Sequence, residues 1–252
     1  MDSLRNAYLD ALGVDRWVPR GAPREVVAVE PEVVAARPAR RDLVPEAPRI
    51  VPASDYQRGP LAGDWPGLRE QVAACAACDL CRTRTQTVFG VGNQQAEWLV
   101  IGEAPGAEED RQGEPFVGRA GQLLNAMLLA IGLPRETVFI ANILKCRPPG
   151  NRDPKPEEVA RCLPFLKQQI ALLKPKMLLA VGRIAAQNLL ATDAPLARLR
   201  GKLHHFGDAN TPLVITYHPA YLLRTPSDKR KAWEDLKFAR ATYARLVAGG
   251  AA

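Results

Sequence analysis

Five cysteines carry the densest chemical signal in the chain. Cys75, Cys78 and Cys81 are each separated by two residues, and Cys146 and Cys162 follow downstream. Cysteines that serve only as small core residues scatter along a sequence; these bunch. Thiolates two residues apart converge on one metal centre, because a tight turn aims both side chains inward. Two distant cysteines then complete a four-thiolate site. Spacing leaves the metal open. Zinc accepts four thiolates, and C-x2-C-x2-C is also the start of a ferredoxin run, here without the next C-x3-C-P ligand.

Three further motifs carry groups able to read or activate a substrate. Gly102-Glu103-Ala104-Pro105-Gly106 offers backbone N–H groups that a ligand can approach closely, with a carboxylate beside them. Asn142, in the run Asn142-Ile143-Leu144-Lys145-Cys146, offers one donor and one acceptor on a side-chain amide. His218 precedes Pro219, which fixes the backbone just after it. Phe116 stands between Pro115 and Gly118, where its ring either caps the core or forms a stacking platform. Each is common in turns and cores when alone. Their weight comes from the elements that carry them.

Apolar strand-like runs occupy 98–101, 138–141, 177–181 and 213–216. Between them lie helical patterns: Leu123, Leu124, Met127, Leu128 and Ile131 recur at about 3.6 residues per turn, and 161–173 and 183–190 read likewise. This alternation predicts an α/β fold, a three-layer α/β/α sandwich around a central, mainly parallel four-stranded sheet. Ligands of such sheets bind at the carboxyl ends of the strands. Glu103, Asn142 and His218 should therefore meet at one rim.

The rest of the chain divides by composition. Residues 1–20 read as a short amphipathic segment, with Leu4, Tyr8, Leu9 and Leu12 on one side. Residues 21–62 hold seven prolines, from Pro23 to Pro60, and read as a flexible linker. Residues 63–245 form the domain and 246–252 a loose tail. No run of about 18 apolar residues is present, so no membrane span is expected. The start MDSLRNAYLDALG lacks an apolar signal core, so a cytoplasmic protein with reduced thiols is expected, which favours a metal over disulfides. The net charge of +7 favours a polyanionic partner.

GEAPG, PFVGRAGQLL, ANILKCRPP, the C-x15-C from Cys146 to Cys162, RGK and HPAYLLR occur in this order. Together they resemble the family 4, iron–sulfur uracil-DNA glycosylases. The resemblance implies a structural 4Fe–4S cluster on Cys75, Cys78, Cys146 and Cys162, with Cys81 outside the pattern. It implies a monofunctional, monomeric repair hydrolase. Uracil is flipped out of single- or double-stranded DNA and released, leaving an abasic site. Phe116 would stack on the base, and Asn142 would accept from N3–H and donate to O4. Backbone around Glu103, Ala104 and Pro105 would meet the base oxygens, and His218 would donate to O2. Tyr221, Leu222 and Leu223 would fill the vacated gap, while Arg200, Lys202 and Arg224 would hold phosphates.

Well-known superfamily members place a water-activating Asp where Ala104 stands. Glu103, Glu109 and Asn151 remain as candidates, with Glu103 preferred. A covalently DNA-linking branch carries an inserted basic segment after the second strand, which this chain lacks. Two other readings are an iron–sulfur electron carrier and a DNA-binding module without turnover; neither uses Asn142 and His218. The N-terminal segment would serve a protein partner, held near its target by the linker.

Overall fold

The computed structural model describes residues 59–249. Six strands form one sheet: β1 (Val91–Gly92), β2 (Trp98–Gly102), β3 (Phe139–Asn142), β4 (Met177–Val181), β5 (His204–Phe206) and β6 (Thr211–Thr216), in the order β1-β3-β2-β4-β6-β5. The four expected strands are its parallel centre, β3-β2-β4-β6. The sheet has six strands rather than four because β1 and β5 pair antiparallel at the two edges. With two and three residues, they are too short to show an alternating pattern.

β2, β3 and β4 are buried at every position, as expected of parallel strands covered on both faces. Their side chains divide by period two. Leu99 and Ile101 of β2 face one core, and Trp98 and Val100 face the other. The helices supply the outer layers: α1 (Trp65–Ala73), α2 (Ala107–Gln112), α3 (Arg119–Ala130), α4 (Pro156–Leu173), α5 (Arg183–Leu190), α6 (Leu196–Leu199), α7 (Pro219–Arg224) and α8 (Lys229–Gly249). Val72 of α1, Phe165 of α4 and Ala185 of α5 pack on the Leu99 side. Leu124 of α3 and Leu236 of α8 pack on the Trp98 side. The three-layer α/β/α arrangement is the one expected.

Boundaries moved where proline and charge hide helix. α4 begins at Pro156, five residues before the expected start, because proline is at home in a first turn where its missing N–H bonds nothing. Glu158 accepts from the Lys155 N–H at 2.8 Å and caps that end. α8 runs through Gly249, four residues into the stretch expected to be a loose tail. Ala62, expected in the linker, is tied to the domain: its N–H donates to Gln71 Oε1 and its carbonyl accepts from Gln168 Nε2, both at 2.9 Å. The amphipathic segment 1–20, the linker up to residue 58 and residues 250–252 lie outside the described residues. No helix among the described residues is long and apolar enough to cross a membrane.

Candidate active site and cysteine pocket

β2 and β3 end in register, with Gly102 opposite Asn142. β6 ends at Thr216, two residues before His218. The chain places β3 on one side of β2 and β4 on the other, so a crevice opens beyond their carboxyl ends. It is a cleft of about 710 Å³, and Glu103, Ala104, Pro105, Phe116, Asn142 and His218 all line it. The residues singled out in four separate motifs thus share one cavity.

Asn142 is 2% exposed, and its Oδ1 has no hydrogen-bond partner among the described residues. A buried oxygen left unpaired costs about 1–3 kcal/mol. Its backbone carbonyl is fixed: it accepts from Lys145 Nζ at 2.9 Å, and Nζ also donates to Gln169 Oε1 at 2.7 Å. Gln169 Nε2 donates in turn to the Phe89 carbonyl. The strand end is held while the side-chain acceptor is free.

Phe116 is buried, packs beside Leu124 and also lines the cleft. The ring that caps the core is therefore the same ring that faces the cleft. It lies 5.6 Å from the His218 ring at a 32° tilt. His218 caps α7: its Nδ1 accepts from the Ala220 N–H at 3.1 Å, which assigns the ring proton to Nε2. Burial, helped by Arg224 and opposed by Glu109, lowers His218 to about 4, so the imidazole is neutral at ordinary pH.

Burial, together with Asp153 and against Arg183, raises Glu103 to about 7. Of the other two candidates for water activation, Glu109 is engaged: its Oε1 accepts from Val117 N–H at 3.1 Å and Gly118 N–H at 3.4 Å. Asn151 lines the cleft with its Oδ1 accepting from Arg147 Nε.

Of the expected DNA contacts, one is already paired within the fold and one is corrected. Arg200 bonds both oxygens of the buried Asp235, at 2.8 and 2.9 Å, and lies 4.6 Å over the Tyr217 ring. Its guanidinium is paired inside the fold. Leu222 is 1% exposed, because helix α7 turns that side chain inward; it cannot fill a gap in DNA from there. Lys202 and Arg224 are exposed, and Arg224 and Tyr221 line the cleft. Tyr221 stacks on Tyr217 at 5.2 Å and donates its hydroxyl to Asp228. The sequence reading passed over Tyr217 and Arg183 as cleft residues. The strand-end rule applied to β4 would have reached Arg183, since it follows Gly182 directly.

All five cysteines, Cys81 included, line one small pocket together with Arg84, Lys145 and Arg161. Cys146 Sγ accepts from Arg84 Nη1 at 3.0 Å, and Cys162 Sγ accepts from the Lys145 N–H at 3.2 Å. As bare thiols Cys146 and Cys162 hold their protons: burial pushes Cys146 up to about 11 and Cys162 up to about 12. Among the described residues, no three His, Cys, Asp or Glu side chains are placed to hold a single metal ion.

The family model of the uracil DNA glycosylase superfamily matches residues 89–237. The chain is 44% identical to a type-4 uracil-DNA glycosylase of Archaeoglobus fulgidus over 173 residues, which are 66% of this chain and 87% of that protein. It is 42% identical to a type-4 uracil-DNA glycosylase of Pyrobaculum aerophilum, over 69% of this chain and 91% of that protein. For the Thermotoga maritima type-4 uracil-DNA glycosylase the figures are 41%, 69% and 92%. The resemblance seen in the motifs is borne out, and the chain belongs to the uracil-DNA glycosylase superfamily, in its type-4 family.

Proposed function

We infer that this protein excises uracil from DNA, hydrolysing the bond between uracil N1 and deoxyribose C1′ and leaving an abasic site. The observation that carries the reading is the buried, unpartnered Oδ1 of Asn142, set in one cleft with Phe116 and His218. Uracil presents an N3–H donor beside an O4 acceptor, which matches a side-chain amide. Cytosine presents the reverse pattern and would leave two buried polar groups unpaired. A base in this cleft must first leave the DNA stack, at a cost of a few kcal/mol.

Phe116 stacks on the flipped base. As the C1′–N1 bond breaks, its electron pair goes to uracil, and charge gathers on O2. His218, neutral and with Nε2–H as donor, meets that charge. A donor already aimed at the developing anion favours the transition state over the ground state. Water then adds to C1′ of the oxocarbenium-like sugar. Glu103 takes the water's proton when ionised; uracil N1 is finally protonated, so the products balance as uracil and abasic DNA. Glu103 suits the role because its ionisation centres near neutral pH.

The cofactor in this reading is a 4Fe–4S cluster on Cys75, Cys78, Cys146 and Cys162. The donor set supports it: the thiols line one pocket, and two of the sulfurs already accept N–H bonds. When bound, the cluster supplies a cross-link between the segment before β1 and the loop after β3, and no chemistry on DNA. An electron carrier would have no use for the Asn142 oxygen or for His218. The same reading places the protein in the reducing cytoplasm, acting as a monomer.

The test is release of free uracil from single- and double-stranded oligonucleotides by the brown, cluster-loaded protein without added nucleotide cofactor. Asn142→Ala should lose discrimination against cytosine. Uracil-DNA left intact by cluster-loaded protein would overturn the reading.

A further inference from the structure

Phe116 is held by more than its own packing. Its φ is +56°, a left-handed backbone that a bulky aromatic residue does not adopt without restraint. Arg135, in the turn before β3, supplies one restraint. Its Nη2 donates to the Pro115 carbonyl at 2.7 Å, and its Nη1 donates to the Phe116 carbonyl at 3.3 Å. Nη1 also donates to Asn125 Oδ1 of α3 at 3.1 Å, which steadies the guanidinium. On the far side of Phe116, the next two N–H groups, of Val117 and Gly118, donate to Glu109. The two carbonyls before the bend and the two amides after it are thus gripped by a cation and an anion respectively.

Helix α3 closes the third side. A Cβ on Gly121 would stand 1.8 Å from the Phe116 carbonyl oxygen, so the helix presses its glycine directly against this turn. Arg135 itself does not line the cleft. Its fork serves the backbone, and a planar fork suits two adjacent carbonyls in a way that a point charge does not.

We propose that Arg135 is a positioning residue: by clamping the Pro115 and Phe116 carbonyls it keeps the strained turn that aims the Phe116 ring into the cleft, and it affects uracil release only through Phe116. The proposal rests on the reading of the cleft as a uracil pocket, so its test has one arm that needs no activity.

Arg135→Ala and Arg135→Lys are made in the wild type and in Phe116→Ala, all cluster-loaded and compared below their melting temperatures. In the wild type, Arg135→Ala should lower kcat/KM about tenfold, with Arg135→Lys recovering only part of it. In Phe116→Ala the same change should cost less than about twofold, because the partner it acts through is gone. Amide hydrogen exchange at Val117 and Gly118 should speed up at least about tenfold in Arg135→Ala. Equal losses in both backgrounds, or unchanged exchange at both amides, would overturn the clamp. An inactive wild type would sink the uracil reading alone, and the exchange result would then decide the clamp by itself.

Discussion

Gly102 and Asn142 are register partners at the ends of adjacent parallel strands, and Asn142 Oδ1 occupies the place where a Gly102 side chain would begin. A Cβ there would stand 2.3 Å from Oδ1 and 2.8 Å from the Phe116 ring. The Asn142 amide and the Phe116 ring approach each other over a missing methyl group.

Gly102→Ala should therefore displace both groups at once. A misplacement of about 1 Å at a reacting centre costs about 10²-fold in rate. Single-turnover uracil release should fall by about that factor while the melting curve stays cooperative. An active Gly102→Ala would mean that neither contact matters to the chemistry.

In the proposed reaction His218 is the donor to the departing base, so His218→Ala should lower kcat about 10²- to 10³-fold. The histidine also leaves a mark on stability. Its folded value near 4 lies below the ordinary 6.5, so between those values the unfolded chain binds a proton that the folded chain refuses. Stability is lost as pH falls from 6.5 through 4. Urea midpoints across that window should drop more steeply for the wild type than for His218→Ala.

Glu103 has the opposite shift. Its folded value near 7 lies above the ordinary 4.5, so its contribution to stability is present below 4.5 and is lost as pH rises through 7. Ionisation in the same window arms it as a base. The rate should climb between pH 6 and 8, and Glu103→Gln should be about 10²-fold slower with that limb flattened. A full pH limb surviving in Glu103→Gln would assign the water to another group.

Arg200 and Lys202 stand two residues apart in one motif and should respond differently. Arg200→Ala strands the buried Asp235 carboxylate and should cost about 3–5 kcal/mol of stability, measured by denaturant unfolding. Lys202→Ala, at an exposed site, should change stability by less than about 0.5 kcal/mol. If Lys202 meets a phosphate, the slope of log K against log salt should shrink by about 1.

Cys146→Ser should lose colour, iron and stability together, whereas Cys81→Ser should keep all three. Absorbance and iron content of the two purified variants check this. A colourless wild type carrying zinc would reverse the choice of metal.

The parallel centre of the sheet was legible because a strand buried on both faces must be apolar throughout, and 177–181 appears in the sequence as it does in the structure. Asn142 and His218 were legible because strand ends are where a parallel sheet opens. What stayed hidden depends on contacts distant in sequence. Nothing near Arg200 announces Asp235, 35 residues later. Leu222 looks like a free wedge until α7 sets its facing. α8 has a mixed surface of Lys, Arg and Glu and buries only a narrow stripe, so its apolar signal is weak.

Lys145 bonds the Asn142 carbonyl through its side chain and the Cys162 sulfur through its backbone. Only three residues separate Asn142 from Cys146. At the two positions between Asn142 and Lys145 the number of residues matters more than their identity. Ile143 and Leu144 are fully buried apolar residues, which other apolar side chains of similar volume can replace. A single inserted residue, however, would shift the ammonium, the sulfur and the amide out of step together. An insertion or deletion here would disturb the cleft and the cysteine pocket in one event.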